Sequence, residues 1–240
     1  MLGLSVWAIL ACWLAVFVGA TVQSSIGIGL GMIAAPVLAL ADPDFVPSAI
    51  VIVVLPMSIA IAWVDRTHIV GRDVGLALVG RVPGVIVAGI VVAAISDRTL
   101  GLIVAASVLL AVIASLAGRV FRTTPAALVA AGAASGFTGT ATGVGGPPMA
   151  LVYQRSDAAT MRATLSAFFS IGTLLSIIAL VAAGKLGTRQ WQLAALLLPA
   201  VLFGVVTARR VRHLLTPTVV RPLVLTVCTV AAVALLIDSF

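Results

Sequence analysis

Apolar residues along this chain fall into blocks about as long as a membrane is thick, separated by short polar interruptions. Met1 to Ala41 carries no charged residue. A spanning helix needs about 20 predominantly apolar residues, so this stretch has room for two crossings or one deep hairpin. Further apolar blocks follow at roughly 45–64, 74–96, 99–118, 123–154, 163–184, 190–208 and 217–237. Most are of single-span length. The 123–154 block is again long and interrupted, like the first. The opening block does not read as a cleaved signal: no basic segment precedes it and no small-residue cleavage site ends it.

Composition turns this pattern into a class. The 240 residues are 62% hydrophobic, 9% charged and 5% aromatic, whereas about a quarter of an average soluble domain is charged. So few charges cannot cover a soluble globule. The expected fold is an all-α polytopic membrane protein, and the lipid bilayer is its first partner. Fourteen Lys and Arg against seven acidic residues give a net charge of +7. The basic residues stand singly or in small groups between apolar blocks, which is the pattern of cytoplasmic loops and not of nucleic-acid binding. Cys12 and Cys228 lie inside apolar blocks and read as small hydrophobes.

The same charges predict orientation. If each long, interrupted block goes in and returns to its own side, Arg66, Arg72, Arg119, Arg122, Arg155, Arg162, Arg209, Arg210 and Arg212 share one side. Arg98, Lys185 and Arg189 take the other, with Asp42 and Asp44. Basic loops mark the cytoplasm, so both termini are expected outside. A single crossing of either long block would scatter the basic loops over both faces.

Self-comparison finds a repeat. Residues 19–31 read GATVQSSIGIGLG and residues 136–148 read GFTGTATGVGGPP. An offset of 116 places Gly27 on Gly143, Gly29 on Gly145 and Pro83 on Pro199. Each copy holds a Gly-rich broken hairpin followed by three transmembrane helices. Three is odd, so the second copy enters from the opposite side, giving two inverted-topology repeats at 1–118 and 119–240.

Glycine and proline weaken helices, and irregular backbone inside lipid persists where it faces protein, a cavity or a ligand. The first break, Gln23 to Gly31, contains Gln23, Ser24, Ser25, Gly27 and Gly29. The second, Thr138 to Pro148, contains Thr140, Thr142, Gly143, Gly145 and Gly146. Small hydroxyl residues beside backbone open to close approach, with helix N-termini starting just after them, suit an anion. The competing reading is that the glycines only permit tight helix packing. Arg81, in GRVPG, lies roughly 10 Å inside its span at about 1.5 Å per residue. It reads either as part of a pathway or as a side chain snorkelling to the surface. Its repeat equivalent is Leu197. Ser58, Ser166, Ser170 and Thr173 read as satisfied hydroxyls between helices. His68 and His213 read as solvated, and Asp65, Asp73, Asp97 and Asp157 as weak surface pairs with neighbouring Arg. No cofactor, metal cluster, phosphate loop or nucleophile triad is legible, so an enzyme or an ATP-driven pump is not expected.

The two glycine segments resemble the paired motif of the TauE/SafE family, G-x6-G-x-G-G-G followed by apolar residues and often Pro. The first copy runs from Ala20 to Gly31, with Ala for the leading Gly and Leu30 for a Gly, and Pro36 follows. The second runs from Gly136 to Gly146, with Pro147 for the last Gly and Pro148 next. The GRVPG stretch, leading to Gly89, is similar to the segment after that family's first basic loop. The resemblance implies movement, outward by analogy, of small sulfur-containing anions such as sulfite or a sulfoacetate-like organosulfonate across a bacterial inner membrane. The candidate substrate-binding residues are Gln23, Ser24, Ser25, Gly27, Gly29, Arg81, Thr140, Thr142, Gly143, Gly145 and Gly146, with a small anion as partner and a homodimer possible. An anion channel, a transporter of another small organic anion and a non-transporting membrane scaffold stand as alternatives.

Overall fold

The computed structural model describes residues 3–116, 122–211 and 217–238, with the side chains of 97, 114–115, 217–224 and 238 left aside. Arg119, Arg212 and His213, assigned above to loops, lie outside the described residues, as does the side chain of Asp97. Among the described residues all regular structure is helical. The helices are α1 (Val6–Ile26), α2 (Leu30–Ala41), α3 (Ser48–Val64), α4 (Gly71–Ala94), α5 (Asp97–Leu116), α6 (Pro125–Thr142), α7 (Gly146–Val152), α8 (Ala158–Ala182), α9 (Thr188–Val211) and α10 (Pro217–Asp238), with 3-10 turns at Pro43–Phe45 and Arg66–His68. The order runs twice: a long helix, a glycine break, a short helix, then three longer ones.

Local chemistry fixes the ends. Ser5 Oγ caps α1 by accepting from Ala8 N, and Thr124 Oγ1 caps α6 by accepting from Ala127 N. At the other end of each, Gly27 (φ 96°) and Gly143 (φ 74°) adopt the left-handed conformation that side chains resist, returning their N–H to Gln23 O and Gly139 O. The unwound segments, Gly27–Gly29 and Gly143–Gly145, are therefore shorter than the breaks read from the sequence. Gln23, Ser24, Ser25, Thr138, Thr140 and Thr142 remain helical. Ser25 and Thr142 turn their hydroxyls back onto the carbonyls of Thr21 and Thr138, each at 2.7 Å, which satisfies them within the helix.

Five helical segments among the described residues are long and apolar enough to cross a membrane: Val6–Ile26, Pro43–Val64, Gly71–Ala94, Ala158–Ala182 and Thr188–Val211. Large apolar side chains such as Trp7 (81% exposed), Ile90, Leu110, Ile178 and Phe203 face outward, while Arg81, Ser135, Thr140, Thr142 and Ser176 are buried. That inside-out distribution suits lipid as solvent. The long helix α6 is rich in Ala, Gly, Ser and Thr and spends its small residues on close packing. A Cβ on Gly80 or Gly84 of α4 would strike the carbonyls of Val129 and Ala133 of α6. One on Gly132 of α6 would strike that of Ala77. These contacts advance together along both helices, so α4 and α6 run parallel. α1 and α9 likewise run parallel, since Trp13 Nε1 donates to Leu196 O at 2.9 Å and Thr21 Oγ1 to Gly204 O at 3.3 Å.

Charged groups gather at the two ends of the bundle. At one end, Asp65, just after α3, binds Arg162 in the second turn of α8 at 2.6 Å. Tyr153 Oη donates to Asp73 at 2.9 Å there, and Val70 N to Thr164 Oγ1. At the other, Arg189 binds both Asp42 and Asp44, Gln190 donates to Asp44, and Ser48 Oγ donates to Lys185 O. The surface pairs expected for Asp65, Asp73 and Asp157 are thereby corrected. Asp65–Arg162 is a mostly buried bridge between distant parts of the chain. Asp73 takes a tyrosine hydroxyl, whose ionisation burial and this neighbour push up. Asp157 caps α8 through Ala159 N and Thr160 N. The largest apolar core draws on α1, α2, α3, α5, α9 and α10, and Cys12 and Cys228 are buried free thiols.

Candidate functional site

Arg81 is ten residues into the 24-residue α4, near its midpoint. The glycines beside it bring α6 so close that a Cβ on Gly136 would sit 3.1 Å from Arg81 Cα. The side chain cannot snorkel past this contact and is 1% exposed, so the surface reading of this residue is corrected. Its guanidinium donates to Ser135 Oγ of α6 at 3.2 Å and Ser176 Oγ of α8 at 3.4 Å. It lies 4.8 Å from the ring centroid of Phe168 and 5.9 Å from that of Phe169. Gly172 makes the room, since a Cβ there would overlap the guanidinium. Arg81 Nε has no partner, and among the described residues no carboxylate bridges to Arg81.

The arginine is wired to the second break. Ser135 Oγ also donates to Gly145 O at 2.6 Å, and Thr140 Oγ1 shares a 2.7 Å hydrogen bond with Ser176 Oγ. The two breaks meet one another: a Cβ on Gly31 would collide with Gly143 O, and one on Gly146 would lie 3.2 Å from Ile28. Beside this junction is a partly open cavity, with about 440 Å³ of non-atom space when its open side is counted. Arg81, Gln23, Gly29, Gly143, Gly145 and Gly146 line it, together with Phe169, Thr173 and an apolar wall from Ile50, Val51 and Val54. Gln23 Oε1 accepts from Leu30 N at 3.0 Å, which fixes the amide with its NH₂ as the donor end. The cavity therefore offers a permanent cation, an amide donor and backbone against an aromatic and aliphatic wall. That chemistry holds a small oxyanion.

The family model for sulfite exporter TauE/SafE matches residues 12–235. The chain belongs to the TauE/SafE family. It is thus a membrane transporter by family, and its apolar helices are long enough to cross a membrane. No curated protein and no solved structure matches it.

In this TauE/SafE chain the residues singled out from the sequence divide into three groups. Gln23, Gly29, Arg81, Gly143, Gly145 and Gly146 line the cavity. Thr140 and Thr142 are fully buried and spent on protein partners; Thr140 acts on Arg81 only through Ser176. Ser24, Ser25 and Gly27 lie away from the cavity. Ser24 faces a second cavity beside Asp65, Arg162 and Arg209, Ser25 O accepts from Arg162 at 3.3 Å, and a Cβ on Gly27 would sit 2.9 Å from Arg162 Cα. Sequence reasoning missed Ser135, Ser176, Phe168, Phe169 and Gly172 as the arginine's cradle. A Ser or Phe in an apolar block carries no sign of the face it occupies, though the four cradle positions on α8 (168, 169, 172 and 176) follow one helical stripe.

Proposed function

We propose that this protein is a secondary transporter, working as an exporter, for small sulfur-containing oxyanions such as sulfite or a sulfoacetate-like organosulfonate. Arg81 carries the reading: a guanidinium buried at mid-helix with an orphan N–H beside the meeting point of two helix breaks is costly unless it serves a ligand. A sulfite or sulfonate group supplies three oxygens and a negative charge to the guanidinium fork and the Gln23 amide. Alternating access comes from two halves, 1–118 and 119–240, of opposite orientation. Support for inversion lies in the end groups: α4 starts at the Asp73 end and its equivalent α9 at the Arg189 end. The parallel pairs α4/α6 and α1/α9 also exchange with one another under the repeat. The end holding Asp65, Arg66, Arg162 and Arg209 faces the cytoplasm of a bacterial inner membrane on the positive-inside rule, with both termini outside.

The test is flux of labelled sulfite in proteoliposomes. Arg81→Gln lowers flux by roughly 10- to 150-fold, the worth of a charged hydrogen bond at about 1.5–3 kcal/mol. Arg81→Lys keeps the charge, loses the fork and falls between. Wild-type rates in both variants, with both folded, remove the site assignment. Flux that never saturates with concentration favours a channel over a carrier.

A further inference from the structure

The unpartnered guanidinium bears on the mode of transport, an inference that rests on the proposed reading. Arg81 is out of contact with solvent in this form: it is 1% exposed, and bridges tie the chain together towards each end, Asp65 to Arg162 and Asp42 and Asp44 to Arg189. Two hydroxyls and two phenyl rings surround the charge, and its Nε–H has no acceptor. Arginine does not shed its proton inside proteins, so the positive charge persists in every form of the carrier. In a form open to either compartment, water solvates it. In the sealed geometry between those forms, only an anion brought in with it compensates the charge, because burying an unpaired ion is expensive.

We infer that the protein is an obligatory anion exchanger: it passes through its sealed form loaded on both strokes and returns without cargo only slowly. Sodium- or proton-coupled carriers use a buried carboxylate whose charge a cation cancels on one stroke. Among the described residues, no carboxylate side chain lies in the middle of a spanning helix. The permanent cation of Arg81 reverses that logic, and a second anion takes the place of a coupling cation.

Wild-type protein in liposomes loaded with labelled sulfite provides the test, with potassium and valinomycin clamping the voltage so that charge build-up cannot limit net movement. Efflux is measured into buffer containing unlabelled sulfite and into buffer in which gluconate, a sugar acid without sulfite's compact oxyanion head, is the sole anion. Exchange is expected to be at least about tenfold faster than net efflux. Equal rates overturn the inference while leaving sulfite transport intact. Absence of sulfite movement in either buffer overturns the functional reading and this inference together. Chloride in place of gluconate restoring the fast rate supports the inference and identifies a second accepted anion.

Discussion

Gly172 and Gly80 both border Arg81's neighbourhood, yet an added methyl meets different material at each. At Gly172 it meets the guanidinium itself, the movable end of a long side chain; at Gly80 it meets the Val129 carbonyl. Gly172→Ala is expected to push Arg81 off its serines and raise the half-saturating sulfite concentration about fivefold, the worth of roughly 1 kcal/mol of hydrogen bonding. The melting temperature should barely change. Gly80→Ala instead drives α4 and α6 apart and costs about 1–3 kcal/mol of stability, as overpacking does, read by thermal unfolding in detergent. Arg81 stood out in the sequence because a charge in an apolar block has few explanations. Its cradle did not, since Ser135 and Ser176 are as compatible with a lipid-side hydroxyl bonded to its own helix as with an arginine ligand. The aromatic faces of Phe168 and Phe169 are equally silent until α8 is placed.

At the scale of the helices, the glycine breaks were legible as places and not as lengths. The φ-positive caps at Gly27 and Gly143 fall where the glycine pattern put them, but the hydroxyl residues before them stay wound because Ser25 and Thr142 bond to their own helices. The first break is also clasped from outside: Arg162, on α8, holds Asp65 and the carbonyl of Ser25 together. Asp65→Asn leaves that arginine, with its side chain only 10% exposed, without its counter-charge. A loss of about 1.5–3 kcal/mol is expected, the worth of a hydrogen bond to a charged group. The exchanged pair Asp65→Arg with Arg162→Asp should recover part of it, as a double-mutant thermal series would show. Asp157 gives α8 a pH-dependent start. Backbone N–H groups of Thr160 and Ala159 hold its pKa below the ordinary carboxylate range. The stabilisation is therefore complete above the unfolded carboxyl's pKa and fades as pH falls through the lower folded value. Asp157→Asn, which still caps, should flatten that acidic part of the stability curve.

For the whole molecule, the count of positive residues between spans predicts a sidedness, and the end contacts place Asp65 with Arg162 and Arg209, and Asp42 and Asp44 with Arg189, in the same two groups. Cysteines at Arg66 and Arg209 are expected to react with a membrane-impermeant thiol reagent from the cytoplasmic side, and one at Lys185 from the opposite side, in a background lacking Cys12 and Cys228. Labelling of all three from one side would refute the inverted arrangement. The two breaks were legible through their glycines. The brevity of α2 and α7 was not, because hydropathy does not say how much of an apolar block faces protein and not lipid. The α4–α6 interface carries one more consequence, for biogenesis. Arg81 leaves the ribosome 54 residues before Ser135 and 95 before Ser176, so α4 reaches the bilayer with its cation undressed. A nascent chain ending near residue 116 should hold α4 at the insertion machinery or the headgroup layer, and release into the hydrocarbon should await the arrival of α6 and α8.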